Sequence, residues 1–164
     1  MASKKLTFAL FFGNRGFFPA SLISQARREI PAVLKSMGYD YLMLPVSATR
    51  YGAVETVAEG QAYAKFLAAQ RGNYAGFILS LPNFGDETGA VSALKDAGVP
   101  ILIQAYPDDL TLMAPDKRRD AFCGKISIMD VFNQYGVKFT NLAPHTISPT
   151  GTGFKEQVNY FASV

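Results

Sequence analysis

Two apolar runs, FILSL (Phe77–Leu81) and ILIQA (Ile101–Ala105), most constrain what this chain can fold into. A strand with one wet face alternates apolar and polar residues. A strand that is apolar nearly throughout needs cover on both faces, which is the situation of a parallel sheet between layers of helix. Each run stops at a polar or turn-forming cluster, PNFGDE after the first and YPDD after the second, with one short helical segment between them. That is a β-α-β unit, and the clusters lie at the carboxyl ends of its strands.

The alternation extends along the chain. Lys5–Phe12 reads as a first strand, Tyr39–Leu44 as a second, Ala75–Leu81 and Pro100–Ala105 as the third and fourth, and Val137–Thr140 as a short fifth. Leu22, Ile23, Ala26, Ile30, Val33, Leu34 and Met37 recur at helical spacing before Gly38, predicting a helix over Ala20–Met37. Pro31 inside it predicts a kink or two shorter helices. Further helices are expected from about Val54 to Arg71, over Thr88–Ala97 and from about Gly124 to Tyr135, the last after a long loop from Tyr106 to Cys123. The series predicts a doubly wound, Rossmann-like (flavodoxin-like) α/β domain over residues 1–142, with a parallel sheet of about five strands and helices on both faces. Residues 143–164 read as a linker and the start of a truncated following segment. HTISPTGTGF is loop-like, and Phe154, Val158 and Phe161 then mark an amphipathic helix still running at Val164. Its apolar face, together with Phe17 and Phe18, is expected to be exposed in this chain and to drive self-association, with a docked terminal helix as the alternative.

Composition narrows the function. Apolar residues make up 49% and charged residues 18% of the 164, values of a globular domain. The net charge of +3 is small and spread out, with one short run, Lys117-Arg118-Arg119, between Asp116 and Asp120; no basic stripe interleaves with aromatics, so a nucleic-acid partner is not expected. The run Leu6–Phe12 is too short for a signal core or a membrane span, and a lone Cys123 suits a reducing compartment, so the expectation is a cytoplasmic protein with no membrane partner.

Ligands of open parallel sheets collect outside the carboxyl ends of the strands. Those ends carry Gly13-Asn14-Arg15-Gly16, Ser47-Ala48-Thr49-Arg50, Asn83-Phe84-Gly85-Asp86-Glu87 and Gln104–Asp109. Arginines, amides and carboxylates on one rim suit a small polar polyol. Arg15 between glycines, which let backbone approach a ligand, is the leading contact and is expected to point toward the NFGDE loop, free of any core ion pair. Its bland alternative is a brace to Asp86 or Glu87. Asp86 and Asp108 also suit helix capping or turn initiation. The single His145 reads as a surface or packing residue, Cys123 as a buried small residue, and no Cys/His spacing makes a metal site. The loop after the first strand has neither G-x-G-x-x-G nor a Walker lysine, which weakens a mononucleotide reading, and Asn14-Arg15 there excludes a phosphorelay receiver.

Taken in order, GNRGFFP, TRYGAVET, LPNFGDE, QAYPDD, RRDAFCGKIS and QYG resemble the N-terminal part of L-fucose isomerase-like proteins, a group that includes L-arabinose isomerase. The resemblance runs from about Phe11 to His145. It implies the first domain of a longer aldose–ketose isomerase, whose divalent metal, usually manganese, is held by carboxylates and histidine of later domains, so that this chain would hold no metal or catalytic group. It implies a homo-oligomer in which this domain helps close a neighbouring subunit's sugar site. Arg15 matches a sugar-contacting arginine, and Asn14, Asn83, Phe84, Asp86 and Glu87 belong to the segments facing the substrate. Asp108, Arg118, Arg119, Asp120 and Lys125 are expected to be structural or interface residues. The rival from another class is a stand-alone cytoplasmic sugar-sensing module using the same rim without catalysis.

Overall fold

The computed structural model describes residues 5–164. Among them, four parallel strands form one sheet in the order β2-β1-β3-β4: β1 Thr7–Phe12, β2 Asp40–Met43, β3 Gly76–Leu81 and β4 Ile101–Ala105. This is the flavodoxin-like order, four-stranded where about five were expected. The expected fifth strand, Val137–Thr140, contributes one bridge: Thr140 pairs with Leu102, its carbonyl accepting from the Ile103 N–H at 3.1 Å.

Side-chain alternation builds two cores. Phe8, Leu10 and Phe12 of β1, with Ile78 and Leu102, face α1 (Ala20–Ser36) and α5 (Thr152–Ser163). Ala9, Phe11, Phe77, Leu79, Leu81, Ile101 and Ile103 face α2 (Val57–Ala69), α3 (Glu87–Leu94) and α4 (Ala121–Gln134). Both faces are therefore covered, which is why β3 and β4 are buried along their whole length. No helix among the described residues is long and apolar enough to cross a membrane.

Several local features differ from expectation. α1 runs unbroken across Pro31, which is buried within it. α2 starts at Val57, because Thr56 caps it by accepting from the Glu59 N–H, while Val54 lies outside the helix and bridges to Gly13. The long fourth loop ends earlier, α4 beginning at Ala121, and Cys123 on its first turn is exposed. The terminal helix presents no free apolar face. Phe154, Val158 and Phe161 are buried against Phe8, Ile78 and Leu102, and Phe8 stacks on Phe161 at 5.8 Å between ring centroids. Gly76, at the start of β3, leaves the room that ring needs: a Cβ there would sit 3.1 Å from it. Burying such side chains is worth about 1.5–3 kcal/mol each relative to leaving them in water, which favours the docked helix over a free one. Of the aromatics expected to be exposed, Phe17 is and Phe18 is buried.

Candidate functional site

β1 leads by way of α1 to β2 on one side, and the chain then returns across β1 to β3 on the other, so the carboxyl ends of β1 and β3 form the switch point where a crevice opens. The Gly13–Gly16 turn and the Pro82–Glu87 turn meet there. Gly13 permits the meeting: a Cβ on it would lie 2.7 Å from Leu81 Cδ2 and 3.5 Å from Gly85 Cα, and its N–H donates to the Ser80 carbonyl at 3.0 Å. Gly85 adopts φ +77°, a left-handed conformation natural to glycine.

Two buried amides hold the turns together. Asn83, fully buried, accepts at Oδ1 from the backbone N–H of Arg15 and of Gly85, each at 3.1 Å, and donates from Nδ2 to Asn14 Oδ1 at 2.7 Å. Asn14, 1% exposed, donates in turn to Glu55 Oε2. Every polar atom of these two side chains is engaged inside the chain, so both sit beneath the rim as scaffold.

Arg15 emerges above them, with its side chain 32% exposed. Its Nε–H donates to the Gly85 carbonyl at 2.8 Å, its Nη2 pairs with Glu87 Oε2, and its guanidinium lies 4.4 Å from the Phe84 ring centroid. The arginine points toward the NFGDE turn as expected, but it is tied into an ion pair with Glu87, which corrects the expectation of an unpaired guanidinium. The other carboxylate oxygen of Glu87 accepts from Ser127 on α4. Arg15, Phe84 and Glu87 are half-buried, and Gly16 and Phe17 next to Arg15 are exposed. Asp86 caps α3, accepting from the Gly89 N–H and the Thr88 hydroxyl, each at 2.7 Å.

A third turn, from Pro45 to Thr56, completes the rim. The Val54 N–H donates to the Phe12 carbonyl at 2.9 Å and the Asn14 N–H to the Val54 carbonyl at 3.0 Å. Glu55 pairs with Arg50 at 3.0 Å, and Glu59 accepts from the backbone N–H of Arg50 at 2.9 Å and of Glu55 at 2.8 Å. Tyr51 is held at φ +62°, a strained conformation for a non-glycine residue, and the guanidinium of Arg27 fixes the turn from below by donating to the carbonyls of Gly52 (2.7 Å) and Leu44 (2.8 Å). Half-burial without a carboxylate partner lowers the Arg27 pKa. Glu55, Glu59, Ser127 and Arg27 were not singled out in the sequence. For Glu59 a signal was present in Thr56-x-x-Glu59, the spacing of a capping box.

The residues expected to be structural do not form one charge cluster. Arg118 pairs with Asp120 at 2.9 Å, and Asp120 starts α4 in a left-handed conformation, φ +50°. Asp108 Oδ1 accepts from the N–H groups of Arg119 (2.8 Å) and Asp120 (3.2 Å). The Arg119 side chain donates to the Pro82 carbonyl and to Gln25 and lies 4.7 Å from the Tyr106 ring centroid, while the Tyr106 hydroxyl donates to Glu29 at 2.8 Å; burial, with Glu29 beside it, raises the Tyr106 pKa. Lys125 stands apart, 1% exposed, its ammonium donating to the His145 carbonyl at 2.9 Å; desolvation lowers its pKa to about 8. Among the described residues no group of three or more His, Cys, Asp or Glu side chains could hold a metal ion.

A groove of about 450 Å³ lies elsewhere, at the amino end of β4, between Leu94, Lys95, Ala97–Ile101 and Gly136–Thr140. It contains none of the rim groups.

The sequence profile described as "Fucose/sulfoquinovose isomerase, N-terminal domain" matches residues 9–164, nearly the whole chain and α5 with it. No curated protein sequence matches the chain.

Proposed function

Because the chain belongs to the fucose/sulfoquinovose isomerase family through that N-terminal domain, we propose that it is the sugar-recognition domain of an aldose–ketose isomerase. In this reading the switch-point rim supplies contacts to the hydroxyls of the sugar. The 1,2-proton transfer, and a divalent metal that would polarise the sugar oxygens, with manganese the first to supply, belong in this reading to other parts of the enzyme. Assembly as a homo-oligomer, with the rim facing a neighbouring subunit's site, is part of the same proposal.

One observation carries the reading: the placement of Arg15. A guanidinium offers five N–H donors in a fixed plane. Here Nε and Nη2 are used inward, on the Gly85 carbonyl and Glu87, and the group rests against the Phe84 ring. The plane is thereby held while Nη1 has no hydrogen-bond partner among the described residues, and in this reading that nitrogen meets the sugar hydroxyls. The ion pair thus serves as support for the contact, since a half-exposed Arg–Glu pair contributes little stability by itself.

The test is kinetic. In the enzyme carrying this domain, assayed with Mn²⁺ against a panel of aldoses, Arg15→Ala should lower kcat/KM by about ten- to 150-fold per hydrogen bond lost, from about 1.5–3 kcal/mol for a charge-assisted bond. Thermal stability should fall by no more than a few degrees. An unchanged kcat/KM with a large stability loss would make Arg15 a brace and nothing more.

A further inference from the structure

Helices cover both faces of the sheet, but part of its outer edge stays open. Successive residues of a parallel strand direct their backbone groups to opposite neighbours. On β4 the Pro100 carbonyl accepts from the Phe77 N–H of β3 at 2.8 Å. The Ile101 carbonyl and the Ile103 N–H turn outward instead, to the N–H (2.7 Å) and carbonyl (3.1 Å) of Thr140. The Ile101 N–H belongs to that same outer side, and no backbone carbonyl among the described residues accepts from it there. In a continued ladder its acceptor would be the Lys138 carbonyl. Gly136, at φ +69°, turns the chain at the end of α4, and the Val137 N–H donates back to the Phe132 carbonyl at 2.8 Å. That bond keeps the segment against α4 until Thr140 meets the sheet.

The groove of about 450 Å³ at the amino end of β4 lies at this place, and its volume is in the range of ligand sites. Leu94, Val99, Ile101, Val137 and Phe139 give it apolar walls, and Lys95 and Lys138 are the charged residues that line it. Both lysines are exposed, and neither forms an ion pair among the described residues. An unused backbone donor, apolar walls and two unpaired cations are together the complement of an extended acidic chain. Such a chain supplies a carbonyl to Ile101, apolar side chains to the walls and carboxylates to the lysines. A second copy of this edge fits less well. A two-fold contact sets lysine against lysine, and edge lysines are a known guard against self-pairing.

We propose that this groove binds an extended segment of a partner protein, apolar at its centre and acidic at its flanks, added beside β4 as an outer strand. The site is at the opposite end of the sheet from the rim and does not rest on the sugar reading.

The test is titration of the nitrogen-15-labelled 164-residue chain with two pentapeptide amides, acetyl-Glu-Val-Thr-Val-Glu and acetyl-Lys-Val-Thr-Val-Lys. The acidic peptide should shift the amides of Val99, Ile101 and Phe139 and leave those of Arg15 and Phe84 in place. It should also slow hydrogen exchange at Ile101, whose N–H gains an acceptor. The basic peptide should bind about tenfold more weakly or worse, since both flanking contacts turn from attraction to repulsion. The double reversal Lys95→Glu/Lys138→Glu alters exposed side chains alone and should invert that preference. Equal binding of the two peptides, a preference that the double variant leaves unchanged, or an Ile101 amide silent to both overturns the proposal. Octanoate shifting these amides where neither peptide does would make the groove a small-molecule site. Sedimentation showing dimers of the chain alone, with Ile101 protected as they form, would make the occupant a second copy. Either result overturns the partner-strand proposal.

Discussion

Asn83→Ala is the sharpest probe of how the rim is held. In the folded chain this side chain satisfies the N–H groups of Arg15 and Gly85 and the Oδ1 of Asn14, all with Asn83 itself fully buried. Truncation leaves two backbone donors and one acceptor without a partner, and each costs about 1–3 kcal/mol when it stays buried. Water entering the vacated space would recover part of this, so the expected loss is about 3–5 kcal/mol. For a domain of this size each kcal/mol lowers Tm by about 2–4 °C, giving a drop of about 6–20 °C. Urea unfolding followed by circular dichroism would read the free energy directly. A double-mutant cycle with Asn14→Ala adds a second criterion: the two residues share one hydrogen bond, so their losses should fall short of additive by about 1 kcal/mol. A Tm drop below about 3 °C, or strict additivity in the cycle, would refute the claim that this amide pair holds the two turns together.

Further outcomes can be checked on the same chain. Gly124→Ala should destabilise by about 1–3 kcal/mol or more, because its Cβ would start 1.8 Å from the Phe84 carbonyl oxygen and α4 must move; a chemical-shift map should show the change spreading to Phe84 and Glu87. Asp86→Ala should cost about 1 kcal/mol through loss of the α3 cap, whereas Asp86→Asn should be nearly neutral by thermal denaturation. Lys125 sets a pH dependence. Burial lowers its pKa from an ordinary 10.5 to about 8, so the unfolded chain holds the proton more tightly. The penalty is fully present below pH ~8 and is relieved as pH rises from ~8 to ~10.5, so this group makes stability increase over that window, by at most about 3 kcal/mol. Lys125→Met should abolish that rise in urea titrations at pH 7.5 and 10; an equal rise in both proteins would show that the lysine is not its source.

The alternation of apolar runs with helical segments was legible because it follows from period alone. A strand period of two and a helix period of 3.6 are local properties, and β3 and β4, apolar throughout, declared that both faces would be covered. The rim could be placed for the same reason: in a parallel sheet the carboxyl ends of the strands share one edge, so Asn14, Arg15 and Asn83–Glu87 had to come together once the strands were assigned. What sequence could not supply was which neighbours compete for each group. Pro31 predicts a kink or two shorter helices, yet a helix covered on one face by Ile23, Ala26, Ile30 and Leu34 runs on through packing that outweighs one missing N–H. Val137–Thr140 had strand composition but meets β4 at a single bridge. The terminal helix looked unpartnered because its partners, Phe8, Ile78 and Leu102, are distant in sequence. Arg15 was identified from local chemistry as a residue able to grip a polyol. That it is paired with Glu87, and that Asn14 and Asn83 lie beneath it, was decided by contacts between residues about 70 positions apart, whose energies depend on distances that only the folded chain sets. Periodicity therefore fixed the layers and the shared edge of the strand ends, while tertiary contact decided which side chains there are buried as scaffold and which stay partly exposed.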